Sequence, residues 1–136
     1  MNLYYDWGEK IILIVEDDDP GYQYFESLLR KTGVKISRFR NGVEILDFFE
    51  QGDGKADLIL MDILIPLKNG IEATAAIKKI RKEIPIVVVT AYASPDIQKK
   101  SFMAGCDAYL TKPVLPHKLL QTITPFIEQG VNATNL

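Results

Sequence analysis

The chain has 136 residues, 47% of them apolar and 25% charged, with a net charge of −2. That balance suits one globular domain and excludes a generally basic surface for nucleic acid or anionic membrane. A single cysteine, Cys106, excludes an internal disulfide framework and a cysteine-rich zinc site; a small buried apolar side chain is expected there.

Residues 1–9 read as an N-terminal arm with three aromatics, Tyr4, Tyr5 and Trp7. The arm has no apolar core of the kind a signal peptide carries. No run approaches the ~20 apolar residues of a membrane helix, so no membrane association and a cytoplasmic location are expected. Residues 10–129 form the expected domain and 130–136 a short tail.

Within the domain the first apolar run is "IILIV" at 11–15. It leads into Glu16, Asp17, Asp18 and Asp19. Asp19–Pro20 predicts a helix start, with the acid as cap and proline at the first helical position. Phe25, Leu28 and Leu29 repeat at helical spacing, and Gly33 marks the end. The second run, 34–39, mixes Lys35 and Arg38 with apolar residues and reads as an edge strand. Asn41 and Glu44 stand at capping-box spacing before a helix carrying Ile45, Leu46, Phe48 and Phe49. The third run, "LILM" at 58–61, ends in a lone carboxylate, Asp62. Asn69 and Glu72 repeat the capping spacing before a third helix. The fourth run, "IVVV" at 86–89, ends in Thr90, and Ser94–Pro95 opens a fourth helix. The fifth, "AYL" at 108–110, is followed by Lys112–Pro113. The last helix starts near Pro116, and Pro125 is expected to end or kink it. His117, the only histidine, is expected on the surface near that helix start.

Four of the five runs are continuously apolar, as in strands covered on both faces. Strand and helix alternate five times. This predicts an α/β fold: a five-stranded parallel sheet in a doubly wound, flavodoxin-like three-layer sandwich with five helices. In such sheets ligands bind beyond the carboxyl ends of the strands. With strand order 2-1-3-4-5, Glu16/Asp17 and Asp62 meet at one edge, and Thr90 and Lys112 approach from the other side. Carboxylates so close repel, and a hard divalent cation such as Mg²⁺ relieves the repulsion. Lys112 and the Thr90 hydroxyl suit phosphoryl oxygens, and Asp62 suits a nucleophile that forms an acyl phosphate.

The stretches "ILIVEDD" (12–18), "DLILMDILIP" (57–66) with Gly70, "PIVVVTAYA" (85–93) and "AGCDAYLTKP" (104–113), in this order, resemble the receiver domains of two-component response regulators. The resemblance covers about residues 10–128. It implies that Asp62 is the phospho-acceptor and that Glu16, Asp17, Asp62 and the backbone carbonyl of Leu64 hold Mg²⁺. It implies that Thr90, the Ala91 amide and Lys112 bind the phosphoryl group, and that Thr90 and Tyr109 move together as the switch. A cis Lys112–Pro113 bond is also implied. The implied partners are a histidine kinase or histidine phosphotransfer protein and a downstream protein target, with a phosphorylation-linked homodimer compatible with the family. The aromatic lead-in resembles that of receivers in hybrid sensor kinases. Glu16 stands where the family more often has Asp. Leu64 and Tyr92 are bulky at positions flanking the path of the hydrolytic water, so a long-lived phosphoryl group is expected.

Three other readings use the same residues. A receiver fold can serve as a phosphorylation-independent docking module. An aspartate-nucleophile phosphatase would use Asp17 and Asp19, but explains Asp62 and Lys112 less well. A flavodoxin-like cofactor binder needs a hydroxyl- and glycine-rich phosphate loop, where this chain has "EDDDPG".

Overall fold

The computed structural model describes residues 5–129. Tyr4 of the aromatic lead-in and the 130–136 tail, with its Asn132-Ala133-Thr134 sequon, lie outside the described residues. Five strands, β1 (Ile11–Val15), β2 (Lys35–Phe39), β3 (Leu58–Met61), β4 (Ile86–Thr90) and β5 (Ala108–Thr111), alternate with five helices. The helices are α1 (Asp19–Arg30), α2 (Gly42–Glu50), α3 (Gly70–Ile80), α4 (Pro95–Ala104) and α5 (Pro116–Gln129). The strands are parallel in the order β2-β1-β3-β4-β5.

Because successive strand residues face opposite ways, each central strand feeds two cores. Ile12 and Ile14 of β1, Leu58 and Leu60 of β3, and Val87 and Val89 of β4 pack with α1 and α5. Leu13, Val15, Ile59, Met61 and Ile86 pack with α2 and α3. This explains the continuous apolar runs, since no face of β1, β3 or β4 meets water. β2 is the mixed, partly exposed edge that its charges predict.

Two local expectations are corrected. The cap of α1 is Asp18, whose Oδ2 accepts from the Gly21 N–H at 2.8 Å; Asp19 lies inside the helix, its carboxylate drawn to arginines on the β2 edge. Pro125 does not end α5, which continues to Gln129. The lost N–H bond and ring clash cost about 3 kcal/mol, while burying Phe126 and Ile127 in the next turn returns about 1.5–3 kcal/mol each.

The loop from Asp62 to Asn69 is held by close backbone approach at both neighbouring helix starts. A Cβ on Gly70 would lie 2.1 Å from the Asp62 carbonyl oxygen, and one on Gly42 would lie 2.0 Å from that of Lys68. Only glycine fits either place. Asn69 and Glu72 form the complete capping box of α3. At α2 the box is displaced: Asn41 accepts from Glu44 N–H, but the Glu44 carboxylate accepts from Arg40 N–H instead of Asn41.

Candidate functional site

The site lies at the carboxyl ends of β1, β3, β4 and β5. Glu16 extends β1, its N–H donating to the Phe39 carbonyl at 3.0 Å. Asp62 extends β3, its N–H donating to the Val15 carbonyl at 3.1 Å. The sheet ladder thus places both carboxylates, and both are buried. Lys112, after β5, donates from Nζ to Glu16 Oε1 at 2.5 Å and to Asp62 Oδ2 at 2.9 Å. Its own N–H donates to the Thr90 carbonyl at 2.9 Å. The Lys112–Pro113 bond is cis.

Burial pushes the Glu16 carboxyl above its usual range, the Lys112 hydrogen bond opposes this, and the Asp62 charge adds to the rise. Burial pulls the Lys112 ammonium down, but its hydrogen bonds to Glu16 and Asp62 outweigh that and hold it above its usual range. Each buried charge here exists because its partner does.

Not every expected residue converges. Among the described residues no three Asp, Glu, His or Cys side chains gather as a metal cluster; Glu16 and Asp62 meet through the lysine, and Asp17, the next residue along the chain from Glu16, is exposed. At Leu64 it is the N–H that reaches Asp62, donating to Oδ1 at 3.3 Å. The remaining donors still fit a hard cation. Three carboxylates against one ammonium leave net negative charge at the strand ends, and every free donor is oxygen.

Thr90 is fully buried, and its Oγ1 accepts from the Tyr92 N–H at 3.3 Å. The Tyr109 hydroxyl donates to the Tyr92 carbonyl. One residue, Tyr92, therefore joins the two expected switch residues through its own peptide groups. Ala91 is exposed and borders, with Lys112, an apolar cavity of about 610 Å³ whose far wall is Tyr24 and Phe25 of α1. His117 is exposed in the first turn of α5, and Cys106 is buried.

The chain is similar to known proteins in both sequence and fold. The model of the response regulator receiver domain matches residues 12–124. The chain belongs to this family. Receivers are signalling modules of two-component systems that work with histidine kinases.

Hybrid signal transduction histidine kinase I of Dictyostelium discoideum is 37% identical over 136 residues, which cover 92% of this chain and 8% of that protein. The polar-differentiation response regulator DivK of Brucella anthropi is 34% identical over 120 residues, covering 87% of this chain and 96% of that one. This receiver thus spans a small part of the first relative and nearly all of the second. The receiver domain of sensor histidine kinase PA1611 from Pseudomonas aeruginosa, solved with a magnesium ion coordinated in its active site cleft, superimposes with a TM-score of 0.78. It is 28% identical, the match covering 87% of this chain and 97% of that one. Among the described residues, no helix is long and apolar enough to cross a membrane.

Two contributors were not apparent in the sequence. Arg38 of β2 donates from Nε to the Glu16 carbonyl at 3.1 Å, and Tyr24 donates to the Val114 carbonyl just past the cis bond, at 2.5 Å. Both are long-range contacts between a side chain and a backbone carbonyl, and neither leaves a local pattern.

Proposed function

We propose that this receiver accepts a phosphoryl group from a phosphohistidine of a partner kinase or phosphotransfer protein onto Asp62, with Mg²⁺. The observation that carries the reading is the Lys112 ammonium bridging Glu16 and Asp62 at the strand ends. An Asp62 oxygen attacks phosphorus, the P–N bond to the partner's imidazole breaks, and the nitrogen leaves with that electron pair. The product is an acyl phosphate on Asp62 and a free histidine.

Asp17, Asp62, the Leu64 carbonyl and Glu16 are the groups that would hold Mg²⁺, which supplies charge stabilisation for the phosphoryl oxygens. Lys112 supplies a second positive charge at the same oxygens. It already faces the acceptor carboxylate, so little reorganisation is needed. The Ala91 N–H and Thr90 hydroxyl are the remaining phosphate contacts. When Thr90 turns to the phosphoryl group, its hydroxyl leaves the Tyr92 N–H, and Tyr109, bonded to the same residue, is released to move with it. The altered surface then engages the downstream target. The magnesium in the Pseudomonas receiver's cleft supports the choice of cation.

The test is intact mass after incubation with acetyl phosphate and Mg²⁺, beside an Asp62→Asn control. One added phosphoryl group, dependent on Mg²⁺ and absent from the control, is the expected result. No adduct from acetyl phosphate or from any phosphohistidine donor would favour the docking-module reading.

A further inference from the structure

Four consecutive acids, Glu16 to Asp19, run from the end of β1 into the first residue of α1, and the fold gives each a different fate. Glu16 is taken by Lys112. Asp18 caps α1. Asp19 Oδ1 is taken by Arg40, which donates from Nη1 at 3.1 Å, and by Arg38, whose Nη2 lies 2.8 Å away out of hydrogen-bond alignment. The Arg38 and Arg40 guanidinium groups hold the Asp19 carboxyl below its usual range. Asp17 is left out of all these contacts and stays exposed.

Arg38 does more than neutralise Asp19. It lies opposite Ile14 in the β1–β2 register and reaches past the end of the ladder. Its Nε donates to the Glu16 carbonyl, while the Glu16 N–H donates to the Phe39 carbonyl of the same strand. The backbone groups of Glu16 are therefore fastened to β2 on both sides, one residue before Asp17. The guanidinium also sits 4.5 Å from the Tyr22 ring centroid, a cation–π contact on the first turns of α1. The Arg38 side chain is only 17% exposed, so the guanidinium is packed against the body although the Asp19 carboxylate it meets is exposed.

We propose that Arg38 is a positioning residue for divalent-cation binding: it fixes the backbone around Glu16 and withdraws Asp19, so that Asp17 alone of the free loop acids faces the cation with Asp62. This rests on the proposed function. Arg38 touches neither cation nor phosphate. It acts through the loop, as outer partners of metal ligands do elsewhere.

The direction of the effect separates this from simple electrostatics. Arg38 carries a positive charge close to a cation site. If charge alone mattered, removing it would tighten Mg²⁺ binding. If Arg38 orders the loop, removing it weakens binding. The experiment is calorimetric titration of Mg²⁺ into the unphosphorylated chain, for wild type, Arg38→Ala and Arg38→Lys, with thermal unfolding of each. Arg38→Ala is expected to weaken binding by roughly tenfold. Arg38→Lys keeps the charge but lacks the planar fork that spans Glu16 and Asp19, so a smaller loss in the same direction is expected. Unchanged or tighter binding in a folded Arg38→Ala chain overturns the proposal. If Arg38→Ala does not fold, Arg38→Lys decides: weaker binding supports the proposal, and unchanged binding overturns it. A wild-type chain that binds no Mg²⁺ and takes no phosphoryl group overturns the receiver chemistry itself, and this inference with it.

Discussion

Both ends of the sheet carry aspartates, and the two ends use them differently. At the amino end, Asp57 and Asp107 each close a ladder rung. Asp57 N–H donates to the Ile11 carbonyl, and Ile11 N–H donates to Asp57 Oδ2 at 2.8 Å. Asp107 repeats this with Ile86, at 2.9 Å, and also accepts from Lys78 Nζ. At the carboxyl end, Glu16 and Asp62 lean on one lysine and Asp17 on nothing described. The cause is strand polarity. The amino ends of parallel strands offer unpaired N–H groups, which satisfy a carboxylate. The carboxyl ends offer carbonyls, which repel it. Asp57 and Asp107, placed before strands, are therefore met by the strands' own N–H groups, whereas Glu16 and Asp62, placed at strand ends, draw on a cation from elsewhere.

The largest expected effect tests that division directly. Asp62→Asn abolishes the phosphoryl adduct in intact mass, whereas Asp107→Ala leaves the adduct intact and lowers stability by about 1–3 kcal/mol in urea unfolding. An Asp107 variant that lost the adduct would break the comparison. Next, Lys112→Ala leaves two buried carboxylates without their ammonium. Unfolding at neutral pH should show a loss of about 3–5 kcal/mol, recovered in part by adding Glu16→Gln.

A pH titration sharpens the amino end. Burial pushes the Cys106 thiol, beside Asp107, up to about 12. A raised folded pKa means stability is fully present below the unfolded value near 9.0 and is lost as pH rises toward 12. Over that window the wild type should lose up to ~1.4 kcal/mol per pH unit more than Cys106→Ala. The smallest effect concerns the surface of the carboxyl end. Leu64→Asn with Tyr92→Glu replaces two exposed bulky side chains and should shorten the phosphoryl lifetime severalfold, read as decay of the adduct mass.

The division between the poles also marks what a sequence can disclose. Continuous apolar runs expose the central strands because burial on two faces acts on every residue. Asn69 with Glu72, and Ser94 with Pro95, expose helix starts because capping is local. The strand-end residues Asp62, Thr90 and Lys112 stand out because polarity changes abruptly at each strand end. Arg38 stayed hidden because its partner, the Glu16 carbonyl, is a backbone atom brought near by the β1–β2 register. Asp18 is the cap, while Asp19 pairs with that same arginine, 19 positions away, a contact that leaves no local pattern. Pro125 does not end α5 because its local penalty is outweighed by packing that only the folded core supplies.

At the amino pole the Trp7 indole N–H donates to Glu128 at 3.1 Å, and the Trp7 backbone N–H donates to Thr32. The path into the body and the path out of it therefore pass through one corner, at the far pole from Asp62. A body tied off in this way behaves as a pendant on a string. It can be joined to neighbours at that corner without covering the strand ends that carry Glu16 and Asp62.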